Sequence, residues 1–239
     1  MAATTPTVVL VHGAFADAGS WSGVIAELQA AGVPVIAPPN PLRGLAADSA
    51  YVSAVAAQID GPVVLVGHSY GGAVITVAGQ AENVVGLVYV AAYVLEEGES
   101  LGELQGRFPA SPLVENLKEW TYPVPGGDPA VEVSITAEAF PSVFAADVAE
   151  EVTKVLAVAQ RPLAADAFAE KASAAAWKTK PAWALVAGAD HAINPEVERF
   201  GAERAGATVV EAEGASHAVA LSQPKTVAEV ILQAVRTAG

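Results

Sequence analysis

The 239-residue sequence contains no cysteine. Disulfides, thiolate catalysis and cysteine-ligated metal are therefore excluded. Positive charge is scarce: 12 Lys and Arg stand against 26 Asp and Glu, a formal net charge of −14. So acidic a chain repels phosphate backbones and anionic lipid, and neither a nucleic-acid nor a membrane partner is expected. The charge itself serves solubility. No apolar run approaches the roughly 20 residues that a bilayer requires. The opening Met1-Ala2-Ala3-Thr4-Thr5-Pro6 has no basic region, and the apolar run Val8 to Val11 is too short for a secretory leader. A soluble, cytoplasmic protein is the expectation. There is no phosphate loop, no dinucleotide-binding G-x-G-x-x-G unit, no H-E-x-x-H and no internal repeat. The pair Asp190-His191 lacks the further ligands that a metal site needs.

What is present is apolar and regular. Hydrophobic residues make up 53% and charged residues only 16%, the excess lying in Ala and Val. The length suits one α/β domain with room for a small cap. Continuously apolar, β-branched runs at 7–11, 33–37, 63–66, 84–91, 182–187 and 207–212 read as strands buried on both faces. Between them 21–31, 47–59, 73–80, 195–205 and 224–235 read as helices, the first stopped by Gly32 and the second by Gly61-Pro62. Strand–helix alternation with short joints implies an α/β fold, a doubly wound, mostly parallel sheet. The rhythm fails from 95 to 180, which reads as an inserted helical cap with helices over 144–160 and 165–176. The core is then 1–94 together with 181–239.

Gly67-His68-Ser69-Tyr70-Gly71 matches G-x-S-x-G. Chance supplies roughly 0.1 such matches at this composition, but this one sits between a strand and a helix. A sharp strand-to-helix turn lifts a hydroxyl out of a sheet, flanking glycines permit close backbone approach, and the helix N-terminus adds free N–H groups. Ser69 is the candidate nucleophile. A neutral hydroxyl needs a base, and His217, between the last strand and the last helix, occupies the same sheet edge. His12 reads as a loop-structuring residue, and His68 points away from the hydroxyl. Asp190, after the strand ending at Ala187, is the candidate orienter of His217, with Glu96 and Glu97 as competitors. The order Ser, Asp, His suits this fold. An attack by Ser69 creates an oxyanion, for which the backbone N–H groups of Ala14 and Tyr70 are the candidate donors. Trp120, Tyr122, Trp177 and Trp183 are candidates for an acyl pocket, with packing the commoner role for such residues.

The stretch His12-Gly13-Ala14-Phe15-Ala16-Asp17-Ala18-Gly19-Ser20-Trp21, with Gly67 to Gly72, Asp190 and Gly214 to His217, resembles the α/β-hydrolase superfamily. The resemblance is to the branch of plant methyl-ester esterases, hydroxynitrile lyases and bacterial pyrethroid-hydrolase-like carboxylesterases. It spans nearly the whole chain and is weakest over 95–180. It implies serine-dependent hydrolysis of a small, uncharged, hydrophobic ester, with no metal and no organic cofactor. Lyases of that branch tend to carry Thr where Gly13 stands and Lys where Ala218 stands, so both positions favour the esterase. A lyase-like C–C cleaving enzyme, a ligand receptor on the same fold and a cofactor-free perhydrolase or oxygenase are the alternatives. The partner expected is a small-molecule ester, with assembly as a homodimer left open.

Overall fold

The computed structural model describes residues 4–238; residues 1–3, on which part of the leader reading falls, lie outside the described residues. The run Thr7-Val8-Val9-Leu10-Val11 forms β1 (Thr7–Val11). A 3₁₀ turn, Ala18–Trp21, is capped by the Asp17 carboxylate accepting from Gly19 N–H and leads into α1 (Ser22–Ala30). β2 (Val35–Ile36), α2 (Leu45–Ala57), β3 (Val63–His68), α3 (Tyr70–Ala78) and β4 (Val84–Val90) follow. An insertion carries α4 (Leu101–Gln105), β5 (Leu117–Tyr122), β6 (Ala130–Ile135), α5 (Phe140–Phe144), α6 (Glu150–Val158) and β7 (Leu163–Ala164). β8 (Ala182–Ala187), α7 (Pro195–Arg204), β9 (Thr208–Ala212), α8 (Val219–Ser222) and α9 (Pro224–Ala238) complete the chain.

The main sheet has six parallel strands in the order β2-β1-β3-β4-β8-β9. Alternate residues of each central strand enter opposite cores. Val9, Val11, Val63 and Leu65 face the side of α2, α3 and the insertion. Val8, Leu10, Val64 and Val66 face α1 and α9 through Val24, Leu28, Val227 and Ile231. Burial on both faces explains why these strands read as unbroken apolar runs. The chain turns back between β1 and β3, and in a parallel sheet ligands bind beyond the strand ends at such a reversal. Val11 is paired with Gly67 there, so the loops after β1 and β3 emerge side by side.

The insertion departs from the all-helical expectation. It holds a three-stranded antiparallel sheet, β5-β6-β7, as well as helices. The turn Pro123 to Gly127 joins two alternating stretches that pair Lys118 with Ser134 and Trp120 with Glu132. Trp120 Nε1 donates to Ser134 Oγ at 2.8 Å across the pair. The expected helix over 144–160 is split: α5 ends at Phe144 and α6 begins at Glu150. Over 165–176 no α-helix forms among the described residues: the 3₁₀ turn Ala165–Phe168 opens the stretch and a second one, Ala176–Lys178, begins at its end. Among the described residues, no helix is long and apolar enough to cross a membrane.

Candidate active site

Ser69 ends the β3 turn at φ 56°, ψ −124°, a conformation a non-glycine residue adopts at a cost of about 1–3 kcal/mol. The surroundings hold it there. Its N–H is shared between the Val90 and Ala91 carbonyls, both at 3.2 Å, and its carbonyl accepts from Gly72 N–H at 2.9 Å. A Cβ on Gly67 would collide with the Gly71 carbonyl, and one on Gly71 with the Val11 carbonyl. Gly13 lies still nearer the hydroxyl: a Cβ there would meet Ser69 Cβ at 2.6 Å and Oγ at 3.2 Å. The three glycines let two strand ends close on one serine.

His217 is buried and its Nδ1 lies 2.5 Å from Asp190 Oδ2. The other Asp190 oxygen accepts the N–H groups of Ala192 at 2.6 Å and Ile193 at 2.8 Å. A carboxylate so held fixes Nδ1 as the protonated nitrogen of the neutral ring and leaves Nε2 basic. Ser69 and His217 line the same cavity. The imidazole is bonded to Asp190, and among the described residues no hydrogen bond yet joins it to Ser69 Oγ; such bonds tighten when substrate seats. The competitors for the acid are engaged elsewhere or point outwards. Glu96 pairs with Lys178 at 2.5 Å, and Glu97 is exposed.

The candidate oxyanion donors are also brought to this cavity. Ala14 and Tyr70 both line it and both are buried. Tyr70 is the first residue of α3, so its N–H has no acceptor within the helix. In the β1 loop the Phe15 N–H is taken by the Arg161 carbonyl at 3.0 Å, whereas that of Ala14 has no acceptor among the described residues. The phenol of Tyr70 points elsewhere, donating to the buried Asp48 at 2.7 Å.

Two other histidines, His12 and His68, are structural. His12 accepts Asn40 N–H at Nε2 (2.9 Å) and donates from Nδ1 to its neighbour's carbonyl at Gly13 (2.9 Å), pinning two loops. Burial holds its pKa below the ordinary value. His68, read from the sequence only as a neighbour of the hydroxyl that points away from it, has an unforeseen task. Its Nε2 bonds the His217 carbonyl at 2.8 Å, so it steadies the loop carrying His217. Burial first, and His217 next, push its pKa well down, so it remains neutral and a single-proton donor. Phe144 of α5 sets its ring edge-on to His217, 4.8 Å between centroids, and its carbonyl accepts from Ala218 N–H. Nothing in the sequence marks Phe144, because its role depends on how the insertion folds back.

The cavity is small, about 20 Å³, with room for about one water. Its walls are Leu101, Leu113, Leu163 and Phe168 from the insertion and Ala192 and Ile193 after β8. None of the four candidate pocket aromatics lines it. Trp183 is buried in the sheet core, Trp177 Nε1 bonds the Leu95 carbonyl at 2.8 Å, Trp120 is 46% exposed, and Arg43 covers the Tyr122 ring.

A parallel sheet that carries a strained serine turn at one strand end and a histidine–aspartate pair beyond two others defines the α/β-hydrolase class. The chain belongs to the alpha/beta hydrolase family, whose family model matches residues 8–230. Among solved structures it is similar to polyneuridine aldehyde esterase (24% identity, TM-score 0.81, covering 96% of this chain and 99% of that one). It is also similar to a pyrethroid hydrolase from Sphingobium faniae JZ-2 (22%, 0.77, 98% and 98%) and to the methylesterase MES16 from Arabidopsis (18%, 0.77, 97% and 99%). These belong to the branch that the sequence resembles. No curated protein sequence matches the chain.

Proposed function

We propose that the chain is a serine-dependent carboxylic ester hydrolase acting on small, uncharged, hydrophobic esters through an acyl-enzyme. One observation carries this reading. A strained Ser69, a His217 held by Asp190 and two amides without acceptors among the described residues, those of Ala14 and Tyr70, surround one apolar cavity. Ser69 Oγ attacks the ester carbonyl while His217 Nε2 takes its proton. The Ala14 and Tyr70 amides receive the developing oxyanion, aided by the N-terminal end of α3. The imidazolium then returns the proton to the leaving alcohol, and water cleaves the acyl-enzyme by the same route. Leu, Phe, Ile and Ala walls favour an uncharged substrate, since an ion there would lose its hydration without a partner. The names of the similar esterases support the same reaction class.

A lyase-like reaction has less support. The position where lyases tend to carry Thr is Gly13, whose missing Cβ leaves space that Ser69 fills. The residue after His217 is the buried Ala218, which places no cation beside the imidazole. The reading keeps 95–180 as a substrate-selecting cap on a core of 1–94 and 181–239. It expects a cytoplasmic protein whose partner is a small-molecule ester, bound without metal or organic cofactor. A panel of activated esters graded by acyl length tests it. Wild type is expected to turn over short apolar esters and Ser69→Ala to lose about 10⁶ in kcat with its fold retained. A Ser69→Ala protein with a tenth of wild-type activity overturns the proposal.

A further inference from the structure

Glu198 lies on α7 and, although ionisable, is only 3% exposed. Its Oε2 accepts the Ala187 N–H at 3.0 Å, at the end of β8. Its Oε1 is buried and accepts no hydrogen bond from any described residue. The Glu198 carboxyl as a group interacts with that of Asp190, by charge and by a side-chain hydrogen bond. Two carboxyls so close in a dry site do not both ionise, and the proton between them goes to the one with fewer donors. The donors are distributed unequally. Asp190 receives two amides on Oδ1 and the imidazole on Oδ2, while Glu198 receives one amide.

We propose that Glu198 is carried as the neutral acid and donates its Oε1 hydrogen to the Asp190 carboxylate, extending the line Ser69–His217–Asp190 by a fourth, positioning residue. The inference rests on the role given to Asp190 above. It accounts for the unpartnered oxygen, which then serves as a donor. Burial first, and the Asp190 charge next, hold the Glu198 carboxyl well above the usual carboxylate range. The other groups facing it do not reverse this. Tyr93, after β4, is a phenol raised by its own burial, and Arg199 on the same helix is bound to Glu196 and Glu211. The fourth donor locks the Asp190 carboxylate where it meets His217 Nδ1.

The test uses infrared difference spectra and pH profiles. Subtracting the Glu198→Gln spectrum from that of wild type at neutral pH is expected to leave a protonated-carboxyl C=O band. This readout needs no turnover, so it decides the protonation of Glu198 even if Ser69 proves not to be the nucleophile. In ester turnover, Glu198→Leu is expected to lower kcat by about tenfold with little change in KM, as loss of a transition-state contribution does. It should also move the acid limb of kcat/KM upwards, because Asp190 with one donor fewer holds the imidazolium more firmly. Glu198→Gln offers an N–H where the acid offers an O–H and should recover most of the lost kcat. If Glu198→Leu does not fold, the infrared difference decides alone. A spectrum without the band overturns the proposal. So does a Gln variant whose acid limb moves downwards, as removal of a negative charge beside the imidazole would cause.

Discussion

At the residue scale the site depends on two kinds of signal, and only one is written in the sequence. Ser69, Asp190 and His217 are legible because each follows an apolar run at a turn, and the sheet brings those turns to one edge. The same logic reaches Ala14, whose open amide follows from its place after β1. His68 and Phe144 are not legible as site residues, because their contacts are made by elements far apart in the chain; Glu198 is not legible because its contact with the end of β8 depends on how the neighbouring α7 packs. The choice of acid gives the first prediction. Asp190→Asn is expected to lose about 10⁴ in kcat, the size of the comparable change in a serine protease. Glu96→Gln and Glu97→Gln should each stay within about tenfold of wild type, since an exposed charge contributes about 1 kcal/mol at most. The measurement is kcat/KM of the three variants on one activated ester, with circular dichroism to verify folding. A dead Glu variant beside an active Asp190→Asn places the acid wrongly. Gly13→Ala supplies the second prediction. Its Cβ has to displace Ser69, so kcat should fall by at least about a hundredfold, the effect of a misplacement of about 1 Å at the reacting atoms. Wild-type turnover by this variant speaks against the packing described for Ser69.

At the element scale the core strands are read within a residue or two of their observed ends, because burial on both faces leaves a continuous apolar run that few other structures produce. The insertion is read less well. Val131-Glu132-Val133-Ser134-Ile135 alternates as a half-solvated strand should, and Pro-Gly turn residues precede it. Short half-exposed strands carry little apolar weight, and the Ala-rich flanks favour a helical reading. The consequence concerns substrate choice. The walls near Ser69 come from Leu113, Leu163 and Phe168, not from the exposed aromatic hairpin. Phe168→Ala and Leu113→Ala are therefore expected to improve bulky esters against acetates by roughly 10- to 200-fold, the range for added space in an apolar pocket. Trp120→Ala and Tyr122→Ala should leave that ranking unmoved. Competition between a short and a bulky ester measures it, and a shift confined to the hairpin variants reverses the assignment.

At the scale of the whole molecule, the buried core joins the site to stability. His68 has a folded pKa below its ordinary value of 6.5, so at pH values between the two the unfolded chain binds a proton that the folded chain does not. Stability from this group is complete above about pH 6.5 and is lost as the pH falls towards the folded value. His68→Gln keeps a donor for the His217 carbonyl and cannot titrate. Urea midpoints at pH 7 and pH 5 should therefore drop less in this variant than in wild type, and parallel drops contradict the buried neutral histidine. The proposed chemistry itself is tested most directly by mass spectrometry after exposure to a fluorophosphonate, which reports a base-activated serine without assuming any substrate. A single adduct on the peptide containing Ser69 is predicted for wild type. In His217→Ala the labelling should become far slower, because the hydroxyl then has no base. No adduct on wild type, an adduct on another residue, or equal labelling of the His217→Ala chain contradicts Ser69 as the nucleophile activated by His217.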